Sequence, residues 1–117
     1  MMSERKKILF VCTVNRMRSA TAEKIYEDDV RFEVQSAGTH PSANQMLDDY
    51  LMEWADAIVV MEKAHRNFIR AKFPAYYATK KIVCLYIPDE YAYMDEGLVA
   101  LLKSRFEDVY LRGLLGR

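Results

Sequence analysis

Four short segments of this chain have the hydrophobic pattern of β-strands. Three runs, at residues 8–12, 57–61 and 82–87, are almost entirely apolar and rich in β-branched or aromatic side chains. Continuous apolar runs of this length are typical of strands that are covered on both faces, as in parallel sheets. The fourth run, at residues 31–36, alternates apolar and polar residues, which favours a strand with one less covered face. We therefore predict four strands.

Four other stretches, at residues 19–28, 46–54, 64–73 and 98–110, carry apolar residues at helical spacing. The second of these has an apolar stripe made of Met46, Leu47, Tyr50, Leu51 and Trp54. Pro74 is expected to end the third helix. Strands that alternate with helices imply right-handed crossovers. The pattern predicts one domain over residues 1–117, an α/β fold with three layers (α/β/α), a central parallel sheet of about four strands and flanking helices.

Charge and composition narrow the possible functions. Seventeen basic residues balance seventeen acidic ones, whereas nucleic-acid binders usually carry a basic excess; we expect no nucleic-acid partner. The longest apolar run is far shorter than a membrane span of about 20 residues, so we expect no membrane association. The first ten residues lack the features of a signal peptide, and two cysteines do not make a disulfide framework. A cytoplasmic location is the expectation.

The segment from Cys12 to Ser19 follows the first predicted strand and leads into the first predicted helix. Ligands of open α/β sheets bind at the carboxyl ends of the strands. A helix N-terminus favours anions there through its free amides and its dipole. The same amides and a nearby guanidinium stabilise a thiolate. This segment is therefore predicted to be an anion-binding loop with a nucleophilic cysteine.

Arg18 stands six positions after Cys12, which lets the chain curl around a tetrahedral anion. The planar guanidinium of Arg18 can bind two phosphate oxygens. The chemistry that follows is attack of Cys12 on phosphorus, with a phosphocysteine intermediate. No cofactor is needed, and the histidines and cysteines lack the spacing of metal ligands, so no metal is expected.

The stretch from Val11 to Glu23, VCTVNRMRSATAE, resembles the signature of the low-molecular-weight protein tyrosine phosphatases. Further similar segments follow in the same order, SAGT at residues 36–39 and ADAIVVM at residues 55–61. The resemblance implies a phosphatase acting on a phosphorylated protein or a small aryl phosphate. It also implies that Cys12 is the nucleophile and Arg18 the phosphate clamp.

The same resemblance implies supporting roles around the loop. Asn15 would adopt a left-handed conformation, which Asn tolerates better than most residues. Ser19 would hydrogen-bond the thiolate, and Ser36 would brace Asn15. The expected phosphate-binding segment comprises Thr13, Val14, Asn15, Arg16, Met17 and Ser19.

A leaving alkoxide or phenolate needs a proton from an acid across the mouth of the loop. Asp89 follows the last predicted strand and is the first candidate, while Glu90 and Asp95 are rivals. Asp95 also fits an N-cap of the last helix. By the resemblance, Tyr91 would flank the ring of the substrate.

Several residues depart from the family pattern. Val14 replaces a glycine, Met17 replaces a second cysteine, and the segment between Thr39 and Asn44 is shorter than usual. Arg16 adds positive charge at the outer edge of the loop. His40 could replace a histidine that supports Asn15 in relatives, although a surface role is favoured.

Three alternative functions stay open at this point. One is a non-catalytic module that binds phosphate or a phosphoprotein, and another is a phosphocysteine carrier. The third is an arsenate reductase, which needs two further cysteines; only Cys84 remains, and it is expected in the core. The sequence leaves the oligomeric state unknown.

Overall fold

A computed structural model describes residues 5–116, and four parallel strands form one sheet at its centre. The strands are β1 (Lys6–Cys12), β2 (Phe32–Gly38), β3 (Ala57–Val60) and β4 (Lys81–Cys84), in the order β2-β1-β3-β4. Residues 1–4 and residue 117 lie outside the described residues. The predicted domain includes all five of them, and the signal-peptide expectation includes residues 1–4. This sheet order places the end of β1 in the interior of the sheet.

Five helices among the described residues cover the two faces of the sheet. Helices α1 (Arg18–Tyr26) and α5 (Glu96–Leu111) pack on one face. Helices α2 (Asp49–Trp54), α3 (Lys63–Lys72) and α4 (Pro74–Thr79) lie on the other. The predicted three-layer α/β/α fold with a four-stranded parallel sheet is confirmed. None of the described helices is long and apolar enough to cross a membrane.

The side chains of β1 alternate between the two cores, as a strand requires. Ile8, Phe10 and Cys12 point toward α1 and α5, while Leu9 and Val11 point toward the other layer. All five are buried, so the apolar run indeed marked a strand covered on both faces. The alternation brings Cys12 to the side of the sheet where α1 begins.

The predicted strand over residues 82–87 is too long, because β4 ends at Cys84. Tyr86 has a φ of 57°, which breaks the extended conformation. The amides of Leu85 and Ile87 still bond to the carbonyls of Val60 and Met61, at 2.9 and 2.8 Å. The chain therefore stays beside β3 after the strand has ended, which carries residues 88–90 toward the loop after β1.

The predicted helix over residues 46–54 begins later than expected. Asp48 is the N-cap of α2 and accepts a hydrogen bond from the Leu51 amide at 2.9 Å. Met46 instead pairs with Gly38 in an isolated bridge. Tyr50, assigned to the apolar stripe, is 69% exposed. The cap chemistry of Asp48 thus overrides the apolar spacing that suggested an earlier start.

Helix α4 was not predicted. Pro74 does end α3 as expected, but it also occupies the first turn of α4. Proline is well suited to that position because its fixed φ matches the helix and its missing N–H would have had no helical partner.

Candidate active site

The loop between β1 and α1 is held from outside by the segment that follows β2. The amides of Thr39, His40 and Asn44, with the side-chain amide of Asn44, donate to four successive loop carbonyls at 2.9–3.2 Å. These carbonyls belong to Cys12, Thr13, Val14 and Asn15. Because the carbonyl and amide of one peptide point in opposite directions, this pattern turns loop amides toward the concave side, as in anion-binding nests.

Gly38 makes this close approach possible. A Cβ at this position would lie 2.5 Å from the Thr13 carbonyl oxygen and 2.6 Å from the Ala43 Cβ. Only glycine lets the end of β2 pass this close to the loop after β1.

The sulfur of Cys12 is surrounded by hydrogen-bonding groups. It accepts from the Asn15 amide at 3.2 Å and lies 2.9 Å from the Ser19 hydroxyl oxygen. The side-chain amide of Asn15 donates to Ser19 at 2.9 Å and to Ser36 at 2.8 Å. Ser36 in turn donates a short hydrogen bond to Glu23. This buried chain of groups fixes the loop and directs a backbone N–H at the sulfur.

The conformation of the loop fits its sequence. Asn15 has a φ of 56°, in the left-handed region that the family resemblance implied. Val14, which stands where the family pattern has glycine, is not among the residues with positive φ. Its backbone therefore does not require a glycine.

Arg18 is buried, with a side chain only 2% exposed. Its Nη1 donates a short hydrogen bond to the Glu62 carboxylate and another to the Ile87 carbonyl at 2.8 Å. Its Nε lies 3.8 Å from Asp89 Oδ1. These partners orient the guanidinium group through Nη1. They place it between the end of β3 and the chain after β4.

Glu62 and His65 join the site without having been predicted as site residues. His65 Nε2 lies 3.0 Å from Thr13 Oγ1, and His65 Nδ1 accepts from the Glu62 amide at 3.0 Å. Burial, and secondarily the positive charge of Arg18, lowers the pKa of His65 to about 4. Both residues are polar side chains just past the carboxyl end of a buried strand, and this position could have identified them.

The three candidate acids have different surroundings. Asp89 is 65% exposed, with Oδ1 lying 3.8 Å from Arg18 Nε, and Glu90 is exposed as well. Asp95 accepts from the amides of Gly97 and Leu98 at 2.9 and 3.2 Å, as the N-cap of α5. Tyr91 packs against the core beside α5. Of the three acids, Asp89 is the one whose carboxylate approaches the guanidinium.

The residues at the outer edge of the loop contact the segment after β2 or are exposed. Arg16 donates to the Ser42 carbonyl at 2.9 Å and to Asn44 at 3.3 Å, so it fastens the loop to the segment after β2. Met17 is exposed. His40 is on the surface and contacts Ser42, whose amide donates to its Nδ1 at 3.0 Å. It does not replace the histidine that supports Asn15 in relatives.

Cys84 is buried at the end of β4, and burial raises the pKa of its thiol. It lies level with Val11 but two strands away, roughly 10 Å in a parallel sheet. Disulfides require Cα atoms within about 7 Å. Cys84 is thus an unsuitable partner for Cys12, and no cluster of metal-ligand type occurs within residues 5–116.

Fold and loop together define the class: a doubly wound α/β domain with a cysteine-centred loop at the carboxyl end of its first strand. The family model "Low molecular weight phosphotyrosine protein phosphatase" matches residues 7–50. That range contains the whole loop and both serines, but not Asp89. The resemblance to this family is confirmed. No curated protein sequence matches the chain.

Solved structures of similar fold come from several bacteria. The low-molecular-weight tyrosine phosphatase SP-PTP from Streptococcus pyogenes is 17% identical, with a TM-score of 0.76 over 92% of each chain. Escherichia coli Wzb, a tyrosine phosphatase solved with phosphate, is 20% identical, with a TM-score of 0.71 over 93% of this chain and 99% of Wzb. The YwlE arginine phosphatase from Geobacillus stearothermophilus is 20% identical, with a TM-score of 0.66 over 96% of this chain and 97% of YwlE. These likenesses establish the fold.

Proposed function

We propose that this chain is a cysteine-dependent phosphatase that hydrolyses phosphomonoesters, such as phosphotyrosine or aryl phosphates, through a phosphocysteine intermediate. The observation that carries this proposal is the environment of the Cys12 sulfur, which receives a loop amide and contacts Ser19. A thiolate is the nucleophilic form of cysteine, and both groups stabilise it.

In the first step, the Cys12 thiolate attacks phosphorus, forming a sulfur–phosphorus bond as the phosphorus–oxygen bond to the alcohol or phenol breaks. Asp89 gives its proton to the leaving oxygen. The loop amides from Thr13 to Ser19 and the guanidinium of Arg18 hold the charge on the equatorial oxygens. The ion pair with Glu62 keeps that guanidinium in place before substrate binds.

In the second step, water attacks phosphorus and the sulfur–phosphorus bond breaks. Asp89, now ionised, takes a proton from the water, and Cys12 leaves as a thiolate. Inorganic phosphate is released and both side chains return to their starting states.

An apolar cavity against Glu62 and Ile87, the two hydrogen-bond partners of Arg18, supports an aryl substrate. This cavity of about 490 Å³ adjoins Glu62 and Ile87, and its wall includes Tyr86 and Pro88. An aromatic leaving group could pack there, and Tyr91 is the predicted flank on the side of α5. A phosphorylated protein or a small aryl phosphate would meet these requirements.

We further propose that residues 1–117 act as one domain in the cytoplasm. Both cysteines are free, which suits a reducing compartment. The position of Cys84 argues against an arsenate reductase, because no second thiol lies within reach of Cys12. A phosphate-binding module without turnover is the alternative that the experiment must separate.

The test is steady-state hydrolysis of p-nitrophenyl phosphate and phenyl phosphate by the wild type and by three variants. Cys12→Ser should lose at least roughly 10³-fold in kcat, as expected for a missing nucleophile. Asp89→Asn should lose roughly 100-fold on phenyl phosphate, whose leaving group needs the proton, and much less on p-nitrophenyl phosphate. Glu90→Gln, the matched neighbouring carboxyl, should retain both rates.

An unchanged rate in Cys12→Ser would refute the mechanism. A leaving-group effect in Glu90→Gln instead of Asp89→Asn would move the acid to Glu90. Vanadate binding by a wild-type protein that turns over neither ester would favour the binding module.

A further inference from the structure

The start of α3 touches the loop at both of its ends. Glu62, the residue before this helix, holds Arg18 at the far end of the loop. His65, in the first turn, reaches Thr13 directly after the nucleophile, with 3.0 Å between Nε2 and Oγ1. The start of one helix therefore contacts a residue at each end of the predicted anion-binding loop.

The hydrogen bonds define the tautomer of His65. Its Nδ1 accepts the backbone N–H of Glu62 at 3.0 Å and so carries no proton. In the neutral ring the proton is then on Nε2, which donates to Thr13. The hydroxyl proton of Thr13 stays free to donate elsewhere.

The surroundings keep this ring neutral. His65 is 2% exposed. Burial, and secondarily the positive charge of Arg18, lowers the pKa of His65 and outweighs the opposing carboxylates of Glu62, just before the helix, and Asp89, in the chain after β4, so the pKa stays well below its usual range. A protonated ring would lose the bond from the Glu62 amide, since Nδ1 could no longer accept.

Thr13 is thereby fixed on two sides. Its carbonyl accepts from the His40 amide at 2.9 Å, and its hydroxyl accepts from His65. We propose that His65 is a positioning residue that holds Thr13, and with it the first peptide groups of the loop, in the geometry for phosphoryl transfer. This inference rests on the proposed phosphatase function.

Two substitutions of His65 test the hydrogen bonds separately from the volume. His65→Phe keeps a ring but removes both bonds, and kcat for p-nitrophenyl phosphate should fall roughly 10- to 100-fold, the scale of a small misplacement of catalytic groups. His65→Gln places an acceptor and a donor at a spacing like that of the imidazole nitrogens, and a helix N3 glutamine commonly accepts from the N-cap amide. It should restore most of the lost rate.

Thr13→Val removes the hydrogen bond between Thr13 and His65 while leaving His65 itself unchanged. It removes the hydroxyl with little change in volume, and its loss should resemble that of His65→Phe. The double variant should lose no more than either single one, because both remove the same contact. Thr79→Val is the matched control; its hydroxyl bonds to the Ala75 carbonyl within α4, and kcat should not change.

Vanadate and inorganic phosphate binding separate positioning from stability. If His65 positions the loop for the transition state, His65→Phe should weaken vanadate, a transition-state analogue, more than phosphate. The nitrogen-15 spectrum of the ring should show the proton on Nε2.

Equal losses for the two anions, full activity in Thr13→Val, or a proton on Nδ1 would each overturn the inference while leaving the phosphatase proposal intact. Vanadate binding without turnover in the wild type would overturn the phosphatase proposal, and the two affinities would still decide the role of His65. A wild type that neither binds vanadate nor turns over would refute both.

Discussion

Asn15 shows at the scale of one residue how the loop obtains its shape. A φ of 56° is uncommon for a residue with a Cβ, and asparagine is one of the few that tolerate it. Its side-chain amide donates hydrogen bonds to Ser19 and Ser36, and these bonds stabilise the uncommon backbone conformation. The backbone turn lets its amide point at the Cys12 sulfur.

Gly38 allows a direct test of the packing around this turn. Gly38→Ala would place a methyl group 2.5 Å from the Thr13 carbonyl oxygen, so the loop or the end of β2 must move. We expect a loss of about 1–3 kcal/mol in the free energy of unfolding, the range for overpacking, together with weaker vanadate binding. Chemical denaturation and vanadate titration measure the two effects.

Gly97→Ala is the control, since the nearest atom to its added Cβ is a side-chain oxygen of Asp95 at 3.1 Å. Its stability should change by less than about 1 kcal/mol, the scale of glycine-to-alanine effects in helices. A fully stable Gly38→Ala with normal vanadate affinity would show that the loop does not depend on this close approach.

At the scale of elements, apolar periodicity predicted the sheet and both of its covered faces correctly. The catalytic roles of Cys12, Asn15, Ser19 and Ser36 stay predictions, but the hydrogen bonds among these residues are those that the family resemblance implied. This was possible because a short loop between a strand and a helix leaves few geometries open to the chain.

The elements that the sequence did not predict depend on contacts made elsewhere. Tyr86 has a positive φ, which ends β4 early, and nothing about a tyrosine predicts this conformation. Glu62 and His65 belong to the site because β3 ends beside β1, which is a property of strand order. Periodicity cannot supply such information, since it describes each segment by itself.

At the scale of the whole molecule, buried and paired titratable groups link stability to pH. Arg31 bonds to Glu107 at 2.8 and 2.9 Å and to Asp29 at 2.8 Å, which joins α5 to the start of β2. These bonds to Arg31 hold the pKa values of Asp29 and Glu107 below their usual range. Their stabilisation is present near neutral pH and is lost as the pH falls below about 4.

His65 acts on stability in a higher pH range. Its pKa is 6.5 in an unfolded chain and about 4 in the fold, so between these values the unfolded chain binds a proton that the folded one does not. The free energy of unfolding should therefore fall as the pH drops from 6.5 to 4, by at most about 3 kcal/mol. His65→Gln should flatten this slope in urea denaturation series and keep the steeper loss at lower pH. An identical slope in wild type and variant would contradict the assignment.

The central claim is that Cys12 becomes phosphorylated during turnover, and rapid-quench mass spectrometry measures this directly. Asp89→Asn should slow hydrolysis of the intermediate as well as its formation from poor leaving groups, so p-nitrophenyl phosphate is the substrate for trapping. The account predicts one added phosphoryl group located on Cys12 of this variant, and none on Cys12→Ala Asp89→Asn, which has no nucleophile at this position. Turnover with an unmodified Cys12, or with the phosphoryl group on another residue, would contradict it.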